Sequence, residues 1–248
     1  MKDVIRTLAG EQIKGVSFAV NTIRLPRMLA GLFAGFAFGI AGNTFQTMLR
    51  NPLANPNVIG ITAGSSAAAV FCIIVLHTSN AVVSIASVIA GLVTVTVIYL
   101  LSRAKPFSVG RLILVGIGMQ AMLNAAISYL LLVGAQQDIP AAFRWLSGSL
   151  NGAQMNQLPP LIISVLICTP IIVLLGKHLS ILELGEQSAS SLGVNTDQTR
   201  LLLILSAVCM IAIATAATGP IAFVAFLSGP IAKRLVGTGF SNALPAGL

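Results

Sequence analysis

Polarity along the chain alternates in blocks about one membrane thick. Seven apolar runs lie at roughly 27–48, 57–76, 81–102, 110–133, 157–176, 201–218 and 220–236. Each is near the twenty or so residues that carry an α-helix across a bilayer. A transmembrane barrel would read as short alternating strands, so the pattern predicts an all-α, polytopic membrane protein with about seven spans. The whole of 1–248 then forms one transmembrane domain, with a polar cytoplasmic insert at 177–200. Segment 139–154 is too short and mixed to cross. It reads as an interfacial or re-entrant helix with Trp145 near the headgroups. Pro159 and Pro160 suit a helix start, Pro170 should kink its span, and Gly219-Pro220 reads as a tight turn between the last two spans.

Within the first span Gly31, Gly35 and Gly39 sit four apart, with Asn43 next on the same ridge. That spacing makes a flat stripe on which another helix can pack closely. The span of 110–133 carries a polar stripe of Gly116, Gln120, Asn124 and Ser128. Such groups in hydrocarbon must face protein or water. Two readings fit them: hydrogen-bonding glue between helices, or one wall of a polar translocation path.

Composition sharpens the class. The 248 residues are 56% hydrophobic and 8% charged, with a net charge of +8. A soluble domain carries about 25% charge. In a soluble protein the positive balance would suggest nucleic acid, but here the basic residues cluster at span ends and orient the chain instead. Eight of them (Arg50, Arg103, Lys105, Arg111, Lys177, Arg200, Lys233 and Arg234) fall on one side, and only Arg144 among the connecting loops falls on the other. The positive-inside rule makes the first set cytoplasmic. It also forces Arg24 and Arg27 outside. Guanidinium groups there suit bidentate pairing with carboxylates of a docking protein, or anchoring to lipid phosphate.

No chemistry of an enzyme is visible. All six carboxylates (Asp3, Glu11, Asp138, Glu183, Glu186 and Asp197) lie outside the predicted spans, which weighs against ion coupling at membrane depth. His77 and His178 fall at opposite span ends. Cys72, Cys168 and Cys209, far apart in sequence, read as small buried hydrophobes, and no metal or catalytic residues are assigned. In the insert, Leu182, Ala189 and Leu192 form a small apolar face opposite Glu183 and Glu186, with Gly185 breaking the first turn and Gly193 placed to cap the last. Such a face suits docking into a groove on a cytoplasmic partner. No GxxxxGK[ST] motif is present, so nucleotide chemistry would belong to that partner.

Several of these pieces occur together in one family. Arg24-Leu25-Pro26-Arg27, Gly42-Asn43-Thr44-Phe45-Gln46, Arg50-Asn51-Pro52-Leu53-Ala54-Asn55-Pro56, Gly60, Gly64, Leu184-Gly185-Glu186, Ala189, Leu192-Gly193 and Gly219-Pro220-Ile221-Ala222-Phe223-Val224 follow in family order. The sequence resembles the FecCD-type permease subunit of ABC importers for iron-siderophores, haem and cobalamin. The resemblance implies a bacterial plasma (inner) membrane protein with ten spans, of which about seven are here. One helix before residue 20 and two after residue 248 are expected to be missing. It implies a second permease subunit, two ATP-binding subunits carrying ATP and Mg, and an extracellular or periplasmic substrate-binding protein. It makes Leu182, Glu183, Leu184, Gly185, Glu186, Ala189, Leu192 and Gly193 the ATPase-coupling segment. Arg24 and Arg27 become the docking site, and Gly116, Gln120, Asn124 and Ser128 a wall of the path. Two positions depart from the pattern: Gly229-Pro230 stands where Pro-His is common, and Ser190 where many relatives carry a basic residue. An ion-coupled secondary transporter or channel is the alternative from another class. A truncated, non-transporting fragment is a third.

Overall fold

The computed structural model describes residues 3, 6–7, 11–13, 15–55, 60–102, 109–183, 189, 191–193, 195–221, 223–236 and 247. Helices account for the architecture among them. α1 is Phe18–Met48, α2 Ile61–Ile74, α3 Asn80–Ser102, α4 Val109–Val133, α5 Ile139–Leu146, α6 Leu158–Leu174, α7 Gly176–Glu183, α8 Thr196–Thr218 and α9 Val224–Val236. Five of them are long and apolar enough to cross a membrane: α1, α3, α4, α8, and α6 with the single 3-10 turn Met155–Gln157 that leads into it.

Among the described residues, the other two expected spans are shorter than a bilayer. α2 has 14 residues and α9 has 13; at 1.5 Å per residue each covers only about 20 Å of a hydrocarbon core near 30 Å thick. Hydropathy alone counts apolar residues and cannot register where a helix starts within the membrane. The first span differs the other way, starting at Phe18 rather than 27. Its opening turns, Phe18–Arg24, are π-helical, and the N–H of Leu25 bonds the carbonyl of Val20. The widened turns lie just before Pro26, which lacks a donor and whose ring would crowd a regular i−4 carbonyl. The Arg-Pro-Arg cluster therefore sits within a helix, not ahead of one.

α1 is the axis of the bundle. Its first half is one-sided, with Ala30 and Ala34 buried and Met28 and Leu32 exposed, whereas every residue from Ala37 to Leu49 is buried. α6, α7, α8 and α9 pack around it. α2 and α3 form a second pair, against which α4 lies. α4 is the least covered long helix: among its described side chains only Leu112, Gly116 and Ile127 are buried.

The path from α8 to α9 overturns the expected tight turn. Arg27 Nη2 donates to the Asn151 carbonyl (3.3 Å), and Ser149 N–H donates to the Thr218 carbonyl (2.7 Å). The start of α1 and the end of α8 thus share one end of the bundle. Yet Ala225, at the start of α9, lies against Gly42, which is fifteen residues past Arg27 and so about 22 Å farther along α1. Among the described residues α8 ends at Thr218 and α9 begins at Val224, so α9 starts partway along α1 and not at the end where α8 finishes. Gly219, at φ 71°, makes the reversal possible.

The close contacts fall beside the expected glycine stripe. A Cβ on Gly42 would stand 2.7 Å from the Ala225 carbonyl carbon, and nearer still to its oxygen. A Cβ on Gly31 would meet only Leu150 Cδ1 at 3.2 Å, and one on Gly35 would meet nothing within 4 Å. α2 and α3 use the same device twice, Gly64 lying against Thr94 and Gly91 against Ser65. Gly42→Ala should cost about 1–3 kcal/mol through overpacking against a backbone carbonyl, whereas Gly35→Ala should be neutral or slightly stabilising. Thermal unfolding of the two purified variants in the same detergent checks the contrast.

Candidate functional site

Three places gather polar groups: the α1–α9 seam, the exposed face of α4, and the end of the bundle that carries Arg27.

At the seam, Gln46 reaches across from α1. Its Nε2 donates to the Phe226 carbonyl (2.9 Å), one of the carbonyls in the first turn of α9. Asn43 is 1% exposed, and its Oδ1 would be 3.3 Å from a Cβ on Gly229. Neither amide atom of Asn43 makes a hydrogen bond among the described residues. The close approach allowed by Gly42 and Gly229 thus brings two amide side chains against a helix that starts within the membrane. Of the residues expected to form a packing ridge, Asn43 lies at this tight contact, whereas Gly31 and Gly35 do not.

α4 turns its polar stripe partly outward. Gly116 is buried, with its carbonyl 3.9 Å from where a Cβ on Gly60 would stand. Gln120 is half-buried, and Asn124 and Ser128 are exposed. Ser128 Oγ donates back to the Asn124 carbonyl (3.0 Å), which satisfies its hydrogen without a neighbour. The Asn124 side chain has no partner within the chain among the described residues.

At the Arg27 end, three loops that positive-inside counting assigns to the outside come together. They enclose an open cavity of about 600 Å³ lined by residues from 73–84, 138–157 and 216–219. His77, at φ 47°, places Nδ1 3.5 Å from Asp138 Oδ2. The sequence left these two as separate residues at the ends of different segments, and no local spacing could have joined them. Trp145 is half-buried, lines the cavity and packs on the cluster of Ala69, Cys72 and Val83. Arg24 is exposed and Arg27 half-exposed at this end.

The opposite end carries the polar insert of 177–200. α7 is anchored by Leu179, which is fully buried. Ala189 is also fully buried, while Leu192 is 64% exposed, so the two do not share one exposed apolar face. Gly193 takes φ 77°, the left-handed conformation suited to a helix end. Leu184, Gly185 and Glu186 lie outside the described residues, as do the side chains of Leu182 and Glu183. α8 then starts on Asn195, whose side chain accepts from Gln198 N–H (3.2 Å), with Asp197 favourably placed in its first turn. Cys168 on α6 and Cys209 on α8 join the same core cluster, a proximity that their separation in sequence concealed. Among the described residues, no three His, Cys, Asp or Glu side chains cluster as metal ligands.

The family model for the FecCD transport family matches residues 1–248. The chain belongs to the FecCD transport family. It is 35% identical over 238 residues to the ferric enterobactin transport system permease protein FepG of Escherichia coli, covering 95% of this chain and 71% of that protein. It is equally 35% identical over 230 residues to the Fe(3+)-citrate import system permease protein YfmE of Bacillus subtilis, covering 92% of this chain and 69% of the other. A solved structure described as an inward-facing conformation of a metal-chelate type ABC transporter superposes with a TM-score of 0.88 at 27% identity. It covers 98% of this chain and 82% of its own. As a FecCD permease the chain is a multi-pass, non-enzymatic subunit of a bacterial importer, and ATP is bound on a separate subunit. That membership displaces the ion-coupled alternative.

Gln46→Leu removes the donor to the Phe226 carbonyl and leaves that acceptor buried, a loss of about 1–3 kcal/mol. A lower thermal midpoint in detergent, with Gln46→Glu not restoring it, is the expected result.

Proposed function

We propose that this FecCD permease imports ferric siderophores. It would work by alternating access, paired with a second permease subunit, two ATP-binding subunits and an external substrate-binding protein. What carries the substrate class is the likeness to permeases named for ferric enterobactin and Fe(3+)-citrate, each at 35% identity across more than nine-tenths of the chain.

The route through the membrane is assigned to the outward face of α4. Gln120 and Asn124 cannot face lipid without leaving amides unsatisfied. α4 packs on α2 and α3 alone among the larger helix contacts, so the open side is available to a second permease copy. Two such faces opposed across a dimer would line a hydrophilic path wide enough for a chelate. Arg24 and Arg27 are the docking cations for the binding protein, supported by their place at the end opposite Arg50. The coupling role belongs to 182–193, supported by the anchoring of α7 in the core beside α1, α6 and α8.

Three outcomes test this reading. With the native cysteines replaced, Asn124→Cys in the assembled importer should react with a water-soluble thiol reagent and Leu132→Cys should not. Equal protection of both would remove α4 from the path. In proteoliposomes, chelate uptake should need ATP and the ATPase subunits and should survive a protonophore. Gly185→Pro should leave membrane insertion intact while separating ATP hydrolysis from uptake, and undiminished uptake would show that the coupling assignment is wrong.

A further inference from the structure

We propose that the cavity at the outer end is a receptacle for an acidic side chain of the external binding protein, and that Arg144 is the group that holds it. This rests on the docking reading of Arg24 and Arg27 and adds a third cation and a recessed pocket to it.

Arg144, on α5, lines the cavity and is exposed. Among the described residues its guanidinium makes no hydrogen bond or ion pair. Arg144 is also the one basic residue in the connecting loops of this side. The acid in the same wall, Asp138, has a side chain only 19% exposed, and its Oδ2 faces His77 Nδ1 at 3.5 Å without forming a hydrogen bond. The remaining polar lining is neutral, with Asn80, Ser84, Asn151 and Gln157 able to complete hydrogen bonds to a carboxylate. Asn80 and Ser84 belong to the first turns of α3, whose N-terminal end favours negative charge.

The pocket is continuous with the arginine pair. Arg27 Nη2 donates to the carbonyl of Asn151 (3.3 Å), and Asn151 is itself in the cavity wall. A partner whose carboxylates reach Arg24 and Arg27 therefore has Arg144 across a shared rim. The recess lies among the ends of α2, α3, α5 and α8 instead of on a lipid-facing flank, which favours a protein side chain over a lipid phosphate. Guanidinium geometry suits a carboxylate held in two-point contact.

The test uses the assembled permease–ATPase complex in lipid nanodiscs and the fluorescein-labelled substrate-binding protein of the same importer, without chelate. Arg144→Gln should weaken docking about tenfold, equivalent to about 1.4 kcal/mol, and flatten its salt dependence. Arg144→Glu should weaken it further and be rescued by an acid-to-lysine change on the partner, while Arg144→Lys should retain most of the affinity. Unchanged affinity for Arg144→Gln, while Arg24→Glu with Arg27→Glu abolishes docking, would overturn the pocket and leave the docking reading standing. No effect from either set would overturn both. An Arg144→Gln effect confined to nanodiscs of anionic lipid, and absent in neutral lipid, would assign the pocket to lipid phosphate and also overturn the proposal.

Discussion

In hydrocarbon, one helix gains little by burying leucine against another, because lipid tails are equally apolar. Close approach of backbones and hydrogen bonds between helices must do the work. The constraint is clearest where Gly42 meets the Ala225 carbonyl, since no side chain fits between them. That contact fixes α9 at depth and brings Gln46 within reach of the Phe226 carbonyl. The interlocking pairs Gly64–Thr94 and Gly91–Ser65 do the same for α2 and α3. There Ser65 Oγ, fully buried, donates to the Ser87 carbonyl at 2.8 Å.

What the sequence made legible follows from how local each signal is. Five spans could be read because continuous apolarity over a membrane thickness is a property of adjacent residues. The short α2 and α9 could not, because the same apolar run serves a full span or a half-span packed in protein. Gly31 and Gly35 of the expected ridge make no tight contact for a related reason. Residues four apart drift around a helix of 3.6 residues per turn, and the face that counts is chosen by the partner. Near the end of α1 that partner is α9, so Gly42 is selected and Gly35 is left open.

The functional residues divide in the same way. Arg24 and Arg27 stood out because they conflict with charge counting, and charge counting depends only on order along the chain. The bond of Arg27 to the Asn151 carbonyl, the facing of His77 and Asp138, and the meeting of Cys168 with Cys209 depend on tertiary contact. Family resemblance points to a coupling role for 182–193, while the burial of Ala189 against the exposure of Leu192 shows that these two positions do not share one face.

The scarcity of charge within the membrane bears on how such a chain can be driven. No described carboxylate lies deeper in a long helix than Asp197, in the first turn of α8, so force is better delivered from the end that carries the 177–200 insert than by protonation at depth. On the proposed coupling role, displacement of 184–193 reaches α7 first, and α7 packs on α1, α6 and α8. It does so through Leu179, which is fully buried and therefore cannot slip independently. α1 is locked to α9 through Gly42, so these helices respond together. α4 is outside that group and touches it mainly through α2 and α3, which α8 contacts directly. Movement of the polar face of α4 would thus be relayed by the α2–α3 pair, whose two glycine interlocks make it stiff enough to act as a lever.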